Sequence, residues 1–190
     1  HVAIGTEDEA IVAALLEHGA NTDVVDSEDR TPLLLACSVV EPLSFVQQLL
    51  ARGADCNMPD SHGRTPLMLA SEQGHVGVVR EVLTAGAMID AQCDDGRTAL
   101  FMACWEGHAD VVSVLLDAGA TASMSDSKQR TPLLAASHQG WLDVGRLLLD
   151  IGAPIDASDA EGATPLWTTC AVGMADFARE LIQRGASVDV

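Results

Sequence analysis

The chain has 190 residues, of which 48% are hydrophobic and only 3% aromatic, with no Tyr. That is enough apolar material for a core, which excludes global disorder, but too few rings for one large globular interior. A net charge of −18, from 28 acidic and 10 basic residues, repels phosphate backbones and anionic lipid surfaces, so nucleic-acid binding and direct membrane attachment are excluded.

Self-similarity organises the chain. Thr31-Pro32-Leu33 returns as Thr65-Pro66-Leu67, Thr98-Ala99-Leu100, Thr131-Pro132-Leu133 and Thr164-Pro165-Leu166, at intervals of 34, 33, 33 and 33 residues. Gly-Ala pairs keep the same step at Gly19, Gly53, Gly86, Gly119, Gly152 and Gly185. So do apolar pairs, among them Leu49-Leu50, Val82-Leu83, Leu115-Leu116 and Leu148-Leu149. Three markers sharing one period signal a repeat protein.

Taken in order, the units are 1–25 (incomplete), 26–59, 60–92, 93–125, 126–158 and 159–190. Aligning His1-Val2-Ala3 after Thr-Pro-Leu starts the first unit inside its first helix. The last unit keeps apolar Trp167, Phe177, Leu181 and Ile182 where an end-capping repeat would be polar. Further repeats or other domains are therefore expected beyond the segment, at least on the N-terminal side.

Within each full unit, Thr is suited to accept an amide of the first helical turn and Pro to the position after it. A first helix is predicted from there to Gly74, Gly107, Gly140 and Gly173, where Gly can end it in the left-handed conformation. A second helix follows. In the unit 93–125 its apolar face is Val111, Val112, Leu115 and Leu116. Two short helices cannot bury a core alone, so the units must stack into a one-dimensional solenoid.

Asp60-Ser61-His62-Gly63-Arg64-Thr65-Pro66-Leu67-Met68-Leu69-Ala70, continuing to Gly74-His75, Val78-Val79, Val82-Leu83 and Gly86-Ala87, resembles the ankyrin repeat, and the resemblance spans essentially the whole chain. It implies an all-α repeat solenoid of helix–turn–helix pairs with projecting β-hairpin fingers. It also implies a protein-binding role through the finger tips and the exposed end of the first helix. Three departures stand out. The His that usually follows Thr-Pro-Leu is replaced by Leu34, Met68, Phe101, Leu134 and Trp167, which removes its hydrogen bonds. Asp29 and Gln129 stand at the finger glycine, so strain or rearrangement is expected there. One extra residue between Val39 and Ser44, beside Pro42, should distort the inter-helix turn.

Candidate sites follow from the family's binding face. The residues placed on it are His62, Glu72, Gln73, Asp94, Asp95, Arg97, Phe101, Trp105, Glu106, Lys128, Arg130, His138, Gln139 and Glu161. Trp105 is expected to be an exposed anchor, because its slot offers an indole no core to fill. The alternative is that it folds back over Phe101 or a neighbouring helix. Phe101 and Trp167 read mainly as packing, and Trp141 as a second contact surface or a helix-packing residue. The column Arg30, Arg64, Arg97, Arg130 either pairs with finger carboxylates such as Asp26, Asp60 and Asp126 or grips an acidic partner. Leu49, Asp55, Cys56 and Asn57 resemble the context of hydroxylated ankyrin asparagines, which makes Asn57 a candidate modification site.

The partner implied is a protein or peptide segment of basic or mixed charge, drawn in by Glu72, Asp94, Asp95, Glu106 and Glu161, with the segment itself monomeric. The alternative is a structural spacer that positions other domains of a parent protein. No catalytic motif is present, and the acidic pairs Glu28-Asp29 and Asp94-Asp95 fall on finger tips, so the chain is read as no enzyme and as needing no cofactor. His75 and His108 lie one repeat apart, about 10 Å, too far to share a metal whose bonds to nitrogen are about 2 Å. Five Cys without C-x-x-C spacing fit reduced thiols in the cytoplasm or nucleus.

Overall fold

The computed structural model describes residues 14–38 and 43–188. Residues 14–17 are helical, and helix pairs follow in strict alternation. First helices are α1 (Pro32–Ser38), α3 (Pro66–Glu72), α5 (Ala99–Glu106), α7 (Pro132–Gln139) and α9 (Pro165–Ala171). Second helices are α2 (Leu43–Ala51), α4 (Val76–Thr84), α6 (Ala109–Asp117), α8 (Leu142–Asp150) and α10 (Ala175–Gln183). First helices pack on first helices of the next unit, and second on second, from α1·α3 through α7·α9 and from α2·α4 through α8·α10.

Each first helix begins as its residues dictate. The hydroxyl of Thr65, Thr98, Thr131 and Thr164 accepts the amide three residues on, at 3.4, 3.2, 3.3 and 3.2 Å. Thr31 caps Leu34 likewise at 3.2 Å. In the unit that carries Met68, its sulfur accepts the Thr65 amide at 3.5 Å. Gly107 and Gly140 end α5 and α7 with φ of 84° and 80°. These glycines are also contact points. A Cβ on Gly107 would sit 2.6 Å from the Trp141 ring of the next unit, and one on Gly74 would sit 2.7 Å from His108.

The same covering residues bond backward. Trp141 Nε1 donates to the Trp105 carbonyl at 3.0 Å, and His108 Nε2 lies 3.0 Å from the Glu72 carbonyl. Both thus staple one unit to the one before. Trp141 keeps 44% of its surface exposed.

The core runs the length of the stack. Leu33, Leu67, Leu100 and Leu133 are sealed between first helices, and Val46, Val79, Val112 and Leu148 between second helices. Leu116, expected on the buried face of α6, is only half-buried. Burial pushes the thiols of Cys37 and Cys104 well above the ordinary cysteine value, which makes them inert packing groups.

The fingers are hairpin turns; no strand is assigned among the described residues. Asp60, Cys93, Asp126 and Asp159 each donate their amide to the carbonyl four residues later. One backbone bond joins each finger to the next: Ser61 N–H to Glu28, Asp94 to His62, Ser127 to Asp95 and Ala160 to Lys128. Asp29 and Gln129 adopt φ of 57° and 61°, the same left-handed state as Gly63 and Gly96 at 74°. The two fingers are therefore not rearranged, and the strain of positive φ is held by the bonds around it. The turn containing Val39 and Pro42, and the alignment of His1 to Ala3, lie outside the described residues.

A second ladder links the loops after the second helices. Asp23, Asn57, Asp90 and Asp156 accept the amides of Asp55, Met88, Thr121 and Ser187 at 3.1, 2.8, 3.0 and 2.9 Å. Among the described residues no helix is long and apolar enough to cross a membrane.

Candidate functional site

The first residue of each finger organises it. Asp60 accepts the amides of His62 and Arg64 on one carboxylate oxygen, both at 2.9 Å, and Arg64 Nε on the other at 2.8 Å. Asp126 does the same for Lys128, Arg130 and Arg130 Nε. Asp26 does so for Glu28, Arg30 and Arg30 Nε. Of the two readings of the arginine column, pairing with finger carboxylates thus describes Arg30, Arg64 and Arg130. The carboxylates of Asp60 and Asp126 are 1% exposed, so these pairs are not surface ornaments.

Burial would raise the Asp60 carboxyl, but the amides of Arg64 and His62 and the Arg64 guanidinium outweigh it and hold the group below the usual aspartate value. At Asp26 the Arg30 hydrogen bond dominates and acts in the same direction. A carboxyl whose folded value is depressed adds stability that is complete above the unfolded value, about 3.9, and lost as pH falls through the lower folded one. Urea midpoints should therefore drop on acidification below about pH 4. Asp60→Asn should flatten part of that dependence, and an unchanged pH profile in that variant would show that the pair carries none of it.

Unit 93–125 breaks the pattern. Cys93 stands where the other full units have Asp. Arg97 therefore has no buried carboxylate. Among the described residues its buried Nε has no hydrogen-bond partner, and its one ion pair there, to the exposed Asp95, is long at 3.8 Å. Leaving a buried donor unmet costs about 1–3 kcal/mol. Gln92 braces the turn in part, its side-chain amide donating to the Gly96 and Ser125 carbonyls at 2.6 and 3.2 Å. The last unit shows the converse break, Ala163 taking the arginine position opposite Asp159.

Around Arg97 the aromatic residues form a ladder. Phe101 lies between Arg97 and Arg130, whose guanidinium carbons are 5.8 and 5.7 Å from its ring centre. Trp105, one turn on, stacks on Phe101 at 6.1 Å and on His138 at 5.4 Å, with Arg130 5.0 Å from its own ring. Of the two readings of Trp105, folding back over Phe101 describes it: the indole is half-buried rather than free-standing, because the i,i+4 spacing puts it over Phe101 and the next finger supplies Arg130. Phe101 is 1% exposed, which agrees with its reading as packing: it supports the surface from beneath rather than standing out as a contact residue.

The remaining candidates divide. His62, Asp94, Asp95, Gln73, Glu106, Lys128, His138 and Glu161 are exposed, and Glu72 and Gln139 half-buried. His62, Glu72, Asp94, Asp95 and Arg97 gather with Arg64, Cys93 and Met102 around one cavity of about 260 Å³. Glu72, Arg97, Phe101, Trp105 and Glu106 line a smaller neighbour of about 60 Å³. Lys128, Gln139 and Glu161 line neither. Trp167 reads as packing in the sequence but is 54% exposed. Asn57 is half-buried, its amide nitrogen 3.3 Å from the Gly86 carbonyl while its oxygen accepts Met88. Among the described residues no three His, Cys, Asp or Glu side chains converge as metal ligands.

The orphaned arginine was open to sequence reading. The column Asp26, Asp60, Asp126, Asp159 has Cys93 as its exception, and attention to arginines alone passes over it.

Comparison with curated proteins gives no match. The family model for ankyrin repeats matches in three copies, over residues 1–60, 40–126 and 119–190. Ankyrin repeats are generally protein–protein interaction modules. With its helix pairs opened by Thr-capped first helices, its finger turns and this model match running along its whole length, the chain belongs to the ankyrin repeat family.

Proposed function

We propose that the face built from the fingers and the ends of α3, α5 and α7 binds a protein or peptide segment of basic or mixed charge. The observation that carries this reading is the coincidence of the Trp105 stack with two cavities flanked by acidic side chains on the family's binding face. A half-buried indole pre-positioned by Phe101, Arg130 and His138 loses little freedom on docking, and rigid aromatic anchors of this type concentrate binding energy. Glu72, Asp94, Asp95 and Glu106 supply the attraction for cationic side chains. Asn57 remains a candidate for hydroxylation, which would require the Met88 and Gly86 bonds to open.

The test uses peptides selected by display on the folded chain. Trp105→Ala should weaken a selected peptide by about tenfold or more, equivalent to ~1.4 kcal/mol, with only a modest fall in thermal midpoint. Raising salt should weaken it further, since exposed attraction fades as the screening length shortens. Full affinity in Trp105→Ala would remove the anchor.

A further inference from the structure

We propose that Arg97 is the point at which this face receives a carboxylate of its partner, one carried between basic side chains. The inference deepens the protein-binding reading and rests on it. In three other fingers the guanidinium is committed internally, Arg30 to Asp26, Arg64 to Asp60 and Arg130 to Asp126, each through Nε and Nη2 at 2.5–2.9 Å. Those pairs show what chemistry the position takes: a carboxylate gripped by the planar fork of an arginine. With Cys93 at the first finger position, Arg97 keeps the fork and lacks the internal acid.

Arg97 is also held in place. It lies against the buried Phe101 ring and borders the larger cavity, with its side chain 37% exposed. Nε is buried, so an anion from outside meets the Nη groups of a guanidinium already oriented by an aromatic face and free of an internal acid, which preorganises it for binding.

The charges around it choose which anion. Glu72, Asp94 and Asp95 border the same cavity, while Arg64 there is already neutralised by Asp60. A phosphate dianion would meet three carboxylates for one available cation. A single carboxylate flanked by lysines or arginines satisfies both signs, the acid on Arg97 and the bases on the surrounding acids.

The experiment follows the arginine Nε–H resonances of the whole folded chain by NMR. The probe is a capped tripeptide with an aspartate between two lysines. Its asparagine counterpart and inorganic phosphate are the comparison arms. The Arg97 resonance should move saturably with the acidic peptide and respond about tenfold more weakly to the asparagine form. The resonances of Arg64 and Arg130 should stay in place. Cys93→Asp supplies the internal acid: it should move Arg97 to the position of its paired counterparts and abolish the peptide response, with thermal stability kept or raised. Should that variant fail to fold, Arg97→Lys, which retains charge but loses the fork, should weaken the peptide by about tenfold.

An unmoved Arg97, equal response to both peptides, tighter binding of phosphate, or undiminished peptide binding in a folded Cys93→Asp would each overturn the assignment. Display-selected peptides separate this failure from that of the broader reading. If they bind the finger face and ignore Cys93→Asp, Arg97 alone is misassigned. If none binds there, the protein-binding reading falls whatever Arg97 senses.

Discussion

Phe101→Ala is expected to lower the unfolding free energy by about 3–5 kcal/mol and the thermal midpoint by roughly 10 °C. The ring is 1% exposed, lies in α5 at the middle of the stack, and is flanked by Arg97 and Arg130 with Trp105 stacked on it. Truncation opens a cavity that surrounding residues cannot fill without moving both neighbouring units. In a one-dimensional array stability is a sum of unit and nearest-neighbour terms, so loss of one interface term should also split the cooperative transition. Urea unfolding followed by circular dichroism, with hydrogen exchange read unit by unit, measures both effects. A single sharp transition shifted by less than about 1 kcal/mol would show that the ring contributes little beyond filling space.

Asp126→Ala should cost about 3 kcal/mol or more, because it removes one partner of a buried pair and strands the other. The carboxylate is 1% exposed and the Arg130 side chain 18%. Without Asp126, Arg130 loses the bonds to Nε and Nη2, and the amides of Lys128 and Arg130 lose their acceptor. The same bonds brace Gln129 at its positive φ, so the finger should loosen and the Trp105 stack lose its cationic neighbour. Asp26→Ala, in a finger whose pair is 21% and 36% exposed, should have the smaller effect. Equal losses in the two variants would mean that burial does not set the strength of these pairs.

The repeat period, the helix starts and the stacked core were all legible in the sequence, because each rests on local chemistry. A threonine hydroxyl caps its own helix, a glycine ends it three turns or fewer away, and apolar spacing marks the face to be buried. Even the anomaly at Cys93 is present in the column of first finger residues, for a reader who lines up the acids as well as the bases. The sequence left Trp105 open between an exposed anchor and a ring folded over Phe101, and read both Phe101 and Trp167 as packing; only the fold decided for the stack and for the exposure of Trp167. Phe101 and Trp167 hold the same slot after Thr-(Pro/Ala)-Leu, yet one is 1% exposed and the other 54%. Burial of that slot comes from the following unit, whose finger and first helix lie over it; Phe101 has Arg130 and α7 beside it, whereas the described residues include no helix pair after α9 and α10 to lie over Trp167. A repeat specifies its own helices from within, but the surroundings of its side chains depend on residues some 33 positions away, which only tertiary packing brings into contact.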